Sequence, residues 1–243
     1  MNPLSLKEAE KLFVNVAKFI SDIKKTDIVI CAPFVYLEKL KKISKKISLG
    51  AQNVFWGEVG AFTGEVSAEM LYDIGARYVI VGHSERRALG ENNNDINKKI
   101  KSALSASLRP ILCVGENMRD EEHNYFNLVR MQLLECLADI SRTSVSKVIV
   151  AYEPVWAISS TEDRKDAKPE DSKEMTIFIR KILSDKFGSE SSKIRIIYGG
   201  SVNEKDAEGF LKDGRVDGLL PGRASLDPKK FSKIVQICEA LGK

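Results

Sequence analysis

At 243 residues, 43% hydrophobic and 30% charged, with 16 Gly and 7 Pro, the chain has the composition of a globular protein of one large or two small domains. No run approaches the ~18 consecutive apolar residues of a membrane span, and the N-terminus lacks a basic-then-apolar export signal, so the expectation is a cytoplasmic protein with no membrane partner. A net charge of +4 is too small to argue for nucleic acid and does not oppose an anionic substrate.

In chain order, Ser5 with Glu8 three residues on reads as a capping box opening a helix over 5–24. Short β-branched runs then alternate with helical patterns to the C-terminus. The predicted strands are 27–32, 48–53, 77–82, 110–114, 147–152, 194–198 and 217–220. The predicted helices are 5–24, 35–45, 67–74, 93–107, 119–141, 169–187, 203–212 and 228–241. The run KKISKK (41–46) reads as a solvated helix end. The strands are near-continuous apolar runs rather than in/out alternations, the pattern of parallel strands covered on both faces. With a helix between successive strands these are βαβ units, and no linker divides them, so 1–243 is expected to be a single domain. The four cysteines, Cys31, Cys113, Cys136 and Cys238, show no metal-type spacing, and three lie in apolar runs, as buried thiols of a reducing compartment would.

Eight helices against seven strands leave two architectures open. A doubly wound sheet tolerates any number of strands, whereas a (β/α)8 barrel needs an eighth, which would lie before Met1. In both, ligands gather beyond the C-terminal ends of the strands. Those ends carry Gly82-His83-Ser84-Glu85-Arg86-Arg87, Tyr152-Glu153-Pro154, Tyr198-Gly199-Gly200-Ser201 and Pro221-Gly222-Arg223. One rim thus receives a proton acceptor, a polarising donor and backbone N–H groups suited to an anion.

Each residue also has a plainer reading. His83 could be a satisfied structural histidine, and His123 sits in a polar helix start and reads as surface. Glu153 follows the apolar run VIVAY, where burial would raise its pKa and suit a general base; the alternative is a buried ion pair with Arg86 or Arg87. Gly199-Gly200 could be a simple turn, although a helix starting soon after Ser201 would add an N-terminus facing the rim. Glu85, Arg86 and Arg87 read as an ion-pair network bracing the site, with Glu85 in a supporting place.

Taken together, GHSERR (82–87), AYEPVWAI (151–158), YGGSV (198–202) and AQN…GAFTGEVS (51–67), with LCVGE (112–116), DGLL (217–220) and ASL (224–226), resemble the triosephosphate isomerase family in order and spacing over essentially the whole chain. The resemblance implies a (β/α)8 TIM barrel and cofactor-free interconversion of dihydroxyacetone phosphate and D-glyceraldehyde 3-phosphate, a step of glycolysis and gluconeogenesis. By the same resemblance Glu153 is the base and His83 the neutral imidazole that polarises the carbonyl. Backbone N–H groups near Ser159, Ser201, Gly222 and Arg223 would hold the phosphate, and residues 154–161 would form a closing lid. Thr63 matches a residue that family members insert into a partner subunit, which implies a homodimer.

Three departures qualify the resemblance. Family members begin with a strand ending in Asn-x-Lys, which this sequence lacks together with its lysine. A barrel strand buries several large side chains at roughly 1.5–3 kcal/mol each, a sum that rivals the ~5–15 kcal/mol stability of a domain. The expectation is therefore that the natural protein starts upstream of Met1. The alternative is a catalytically impaired barrel that binds a phosphorylated ligand; another phosphate-binding barrel enzyme is a third reading. In the lid, Ser159-Ser160-Thr161 replaces the usual Gly-Thr-Gly, which narrows the hinge's backbone freedom and predicts an altered opening rate. Arg223 replaces a usual glycine and either points to solvent or adds charge near the substrate. Pro221 suits a bulge, a strand end or an edge strand.

Overall fold

The computed structural model describes residues 2–43, 45–158 and 165–243. Seven strands form one parallel sheet in sequential order: β1 (Val29–Ala32), β2 (Ser48–Ala51), β3 (Tyr78–Val81), β4 (Arg109–Val114), β5 (Ile149–Tyr152), β6 (Arg195–Tyr198) and β7 (Gly218–Leu219). All seven expected strands are present, each trimmed or extended at its ends. Sequential parallel order with helical crossovers is the (β/α) barrel winding, not the doubly wound one, in which strand order reverses.

The helices around the sheet are α1 (Leu6–Phe19), α2 (Phe34–Lys41), α3 (Ala68–Asp73), α4 (Ser84–Ala88), α5 (Asn93–Ser105), α6 (Asn124–Cys136), α7 (Arg142–Val145), α8 (Pro169–Phe187), α9 (Ala207–Lys212) and α10 (Pro228–Leu241). Two short ones were not expected. α4 begins inside GHSERR, at Ser84, and α7 is split from α6 by a break at Asp139, whose φ of 57° lies in the left-handed region. The first helix starts as its sequence predicts, with Ser5 Oγ accepting from the Glu8 N–H at 3.2 Å. The reciprocal half of the box shifts by one residue, since the Glu8 carboxylate accepts from Leu4 N rather than Ser5 N.

Because the strands are parallel and covered outside by helices, apolar side chains pack on both faces. The layer between strands and helices is the larger core and includes Phe13, Leu37, Leu71, Ile100, Leu133 and Phe210. A second, smaller cluster of Tyr78, Ile111, Cys113, Ile149 and Ala151 comes from the alternate positions of β3, β4 and β5 and fills the inside of the curl. Three of the four cysteines are buried and Cys31 is half-buried, all as free thiols. No described helix is long and apolar enough to cross a membrane.

Among the described residues β1 is paired only with β2 and β7 only with β6. Outside that interval α1 and α10 pack on each other. The Glu239 carboxylate of α10 reinforces the seam by accepting from the backbone N–H groups of Lys24, Lys25 and Thr26, at 2.9 to 3.1 Å, in the turn leading to β1.

Candidate active site

The turn after β3 sets the first half of the site. Gly82 adopts φ 69°, and the Arg87 side chain reaches back to hold the turn: Nε donates to Gly82 O at 2.8 Å, one terminal nitrogen to Cys113 O at 3.2 Å and the other to Asn93 Oδ1 at 2.7 Å. Arg87 therefore braces the site through carbonyls and an amide rather than through the expected ion-pair network. The Glu85 side chain is 61% exposed and its carboxylate lies 3.9 Å from His83 Nδ1.

His83 occupies the N-cap of α4, where its Nδ1 accepts from the Glu85 backbone N–H at 3.2 Å. A ring nitrogen that accepts an N–H is unprotonated, so in the neutral ring this contact places the proton on Nε2. Nε2 in turn lies 3.3 Å from Glu153 Oε1.

Glu153 follows β5 directly, its N–H donating to Val114 O at 2.8 Å, and its side chain is 2% exposed. Oε2 accepts from the Ser84 backbone N–H at 3.2 Å, while Oε1 approaches His83 without hydrogen-bond alignment and has no hydrogen-bond partner among the described residues. Burial pushes the Glu153 carboxyl above the ordinary carboxylate range; His83, the Cys113 thiol, the Ser84 N–H and Arg87 only partly oppose it. The anticipated alternative, a buried ion pair with Arg86 or Arg87, is not formed: the base-type group of this carboxylate faces the imidazole.

Two glycines make the space. A Cβ on Gly199 would sit 2.8 Å from Glu153 Cγ, and one on Gly115 would sit 1.9 Å from the Glu153 carbonyl oxygen. Gly199→Ala is expected to displace the Glu153 side chain and lower kcat at least tenfold while the far-UV circular dichroism stays unchanged. Parallel steady-state kinetics on the two proteins checks this, and an unchanged kcat would count against the packing argument.

Ser201, Gly222 and Arg223 line the same cavity as His83 and Glu153. Gly222 leads into a 3-10 turn, Arg223–Leu226, whose first N–H groups have no partner within the turn. The Arg223 side chain is exposed at the mouth. The helix expected soon after Ser201 begins only at Ala207, because Asn203 and Asp206 pair with each other and hold 203–206 as a turn. Ser201 thus lies in a loop rather than at a helix N-terminus. Pro221 falls just beyond β7, a strand end. His123 is exposed, as its sequence context indicated. Ser159 and the rest of 159–164 lie outside the described residues, and so do the lid substitutions Ser160 and Thr161.

Residues 154–158, the near arm of the expected lid, are described, and they reveal a residue that sequence reading passed over. Glu116, fully buried at the end of β4, accepts through Oε1 from Tyr152 OH at 2.8 Å, Trp156 Nε1 at 2.9 Å and Arg119 Nε at 3.3 Å. Its backbone carbonyl also accepts from Val155 N at 2.9 Å. Residues 154–158 are thereby tied to the β4 end, and Arg119 extends the tie to Asp171 of α8 at 3.1 Å. The signal was available: Glu116 ends the apolar run ILCVGE just as Glu153 ends VIVAYE.

A parallel strand-and-helix barrel with an imidazole and a buried carboxylate side by side at the C-terminal rim defines a (β/α)-barrel enzyme. A family model described as triosephosphate isomerase matches residues 1–238. Curated proteins named triosephosphate isomerase match at similar strength. That of Dictyoglomus thermophilum is 44% identical over 94% of this chain and 93% of its own length. Those of Caldanaerobacter subterraneus subsp. tengcongensis and Aquifex aeolicus are each 42% identical, over 94% and 95% of this chain and 92% and 94% of their own lengths. The chain belongs to the triosephosphate isomerase family.

Proposed function

We propose that this isomerase interconverts dihydroxyacetone phosphate and D-glyceraldehyde 3-phosphate, with Glu153 as base and His83 as electrophile. The observation that carries the reading is the juxtaposition of a buried carboxylate and an imidazole, with His83 Nε2 3.3 Å from Glu153 Oε1 while Nδ1 accepts from the Glu85 N–H. The chemistry follows from those two groups. The carbon beside the substrate carbonyl is a weak acid, so a base must take its proton while the carbonyl oxygen gains charge. Glu153, with its raised pKa, is matched to that transfer. The Nε2–H of His83 donates to the oxygen that becomes the enediolate and, being neutral, can pass its proton between the two adjacent oxygens. Glu153 then returns the proton to the neighbouring carbon, and no cofactor is required by this scheme. An enediolate phosphate left in water would expel its phosphate, which is the reason for a closing lid.

Backbone N–H groups at Ser201, Gly222 and Arg223, with Ser159 from the lid, would hold the phosphate dianion. Glu85 would support the His83 ring from its exposed side. The continuous seven-stranded sheet supports reading 1–243 as one domain, and the glycolytic and gluconeogenic role, with a cytoplasmic location, follows the family. A coupled assay of glyceraldehyde 3-phosphate consumption tests the reaction. Binding of a phosphorylated analogue without turnover would favour the impaired barrel, and turnover only of another sugar phosphate would point to different chemistry at the rim.

The loop 52–67 supports a homodimer. It packs Phe55 against Trp56 and Phe62, at centroid distances of 4.4 and 4.8 Å, while leaving Val59 and Phe62 exposed around an exposed Thr63. A stiffened apolar tip projecting into solvent suits burial in a second subunit. Sedimentation equilibrium is expected to return a dimer mass, and Thr63→Arg to weaken that dimer by at least tenfold in Kd. A monomer mass for the unaltered chain would contradict this.

A further inference from the structure

We infer that Arg119 is a positioning residue for the base, holding Glu153 through the two aromatic side chains that flank it in the chain, Tyr152 and Trp156. Between those anchors the backbone donates at Glu153, to Val114 O, and at Val155, to Glu116 O, while Pro154 has no N–H to give. The anchors themselves converge on one atom. Glu116 Oε1 accepts from Tyr152 OH at 2.8 Å and from Trp156 Nε1 at 2.9 Å. Burial and the Glu116 charge beside it push the Tyr152 phenol well above its ordinary value, so the hydroxyl keeps its proton and serves as the donor.

Glu116 is fully buried, and its Oε2 has no hydrogen-bond partner among the described residues. A carboxylate enclosed in this way needs a compensating cation, and Arg119 Nε supplies it at 3.3 Å. The guanidinium also meets both anchors directly: one terminal nitrogen donates to Tyr152 OH at 3.4 Å, and the group lies 5.5 Å from the Trp156 ring centroid. Arg119 is aimed in turn from α8, donating to the Asp171 carboxylate at 3.1 Å, the Glu174 carboxylate at 2.9 Å and the Asp171 carbonyl at 3.1 Å. Asp171 is itself fixed, its Oδ2 accepting from the Lys168 N–H at 2.8 Å. A planar fork of donors can serve Glu116, Tyr152 and α8 together, whereas a single ammonium cannot. The Glu153 carboxylate is faced by His83, the Cys113 thiol, the Ser84 N–H and Arg87, so Arg119 acts on it through the chain. The inference rests on the assignment of Glu153 as the base.

The test compares Arg119→Met with Arg119→Lys and with the double variant Arg119→Met, Glu116→Gln. The amide of the double variant leaves no buried charge and can still accept from Tyr152 and Trp156. For each protein kcat, KM and the acid limb of kcat/KM are measured where circular dichroism shows the chain folded, together with the indole N–H NMR signals of the two tryptophans. A misplacement of about 1 Å costs on the order of a hundredfold in rate. Arg119→Met is therefore expected to lower kcat at least tenfold with KM within threefold, and to shift the Trp156 signal while that of Trp56 stays. The acid limb should move to lower pH, because a displaced Glu153 is better hydrated and its raised pKa falls back; mere loss of a positive charge would move it up. Arg119→Lys should lose at least threefold in kcat, and the double variant should recover more than half of the logarithmic loss. The inference is overturned by an Arg119→Met protein with unchanged kcat and acid limb, by an acid limb that moves up, or by a double variant as impaired as the single one. Should Arg119→Met not fold, an Arg119→Lys protein with undiminished kcat overturns it. If the unaltered chain does not isomerise, the assignment of the reaction has failed instead, and an unmoved Trp156 signal is then the result that overturns the inference.

Discussion

Glu153→Gln is expected to lower kcat by about a hundred- to ten-thousand-fold, the range for loss of a positioned general base, while KM changes by less than threefold. The amide keeps the volume and can still accept from the Ser84 N–H, which the carboxylate does at 3.2 Å, but it cannot take a proton from carbon. Stability should move the other way. Because burial raises the Glu153 pKa, the folded state holds this proton more tightly than the unfolded chain does. The contribution of Glu153 to stability therefore falls as pH rises from the ordinary carboxylate pKa of ~4.3 through its raised folded value, and above that window the ionised group is a net cost. The neutral glutamine escapes the cost. Its Tm at pH 7 is expected to equal or exceed that of the unaltered protein, and the difference should vanish at pH 4. The same shift places the acid limb of the kcat/KM profile above the ordinary carboxylate range. An inactive Glu153→Gln protein that is also much less stable would mean that the carboxylate is held for structure rather than for chemistry.

The second large effect is predicted away from the rim. Lys99 and Glu91 form an ion pair with side chains 4% and 5% exposed, and Lys99 Nζ also donates to Asn53 Oδ1 at 2.7 Å. The two Glu91 oxygens have no other hydrogen-bond partner among the described residues, so Lys99 is the compensation for a buried negative charge. Lys99→Met should leave that charge stranded and cost about 3–5 kcal/mol, or on the order of 6–20 °C in Tm for a chain of this size. Lys99→Met with Glu91→Gln removes both charges and should recover more than half of the loss. A double variant no more stable than the single one would show that the Lys99 contact to Asn53, not the ion pair, is the important one. Because Asn53 begins the loop that carries Thr63, the single variant should also weaken self-association.

How much of this was readable beforehand depends on the scale of the determinant. The seven strands were legible because parallel strands buried on both faces leave near-continuous apolar runs such as VIVAY, spaced by helical patterns. His83 and Glu153 were legible for a related reason: a titratable residue ending such a run must sit at the strand's C-terminal end. Glu116 obeys the same rule and was passed over because LCVGE was read only as a motif. The short helices α4 and α7 were missed since four or five residues carry no periodicity, and the late start of α9 depends on an Asn203–Asp206 pairing that local sequence expresses only weakly. The Lys99–Glu91 pair was invisible in sequence, because burial of two charges eight positions apart is decided by the packing of α5 against the loop at 52–67. The clearance that Gly199 gives Glu153 likewise appears only once β5 and β6 are side by side.

Proton transfer through Glu153 is tested most directly by running the isomerisation in deuterium oxide and examining the product by proton NMR at early conversion. A base that takes a proton from one carbon and returns it to the next exchanges with solvent while it holds it. The product is therefore expected to carry deuterium at the carbon that receives the proton, with incorporation slowed in step with kcat in Glu153→Gln. Full turnover with no deuterium at that carbon, or unchanged incorporation in the Glu153→Gln protein, would contradict the assignment of Glu153 as the base.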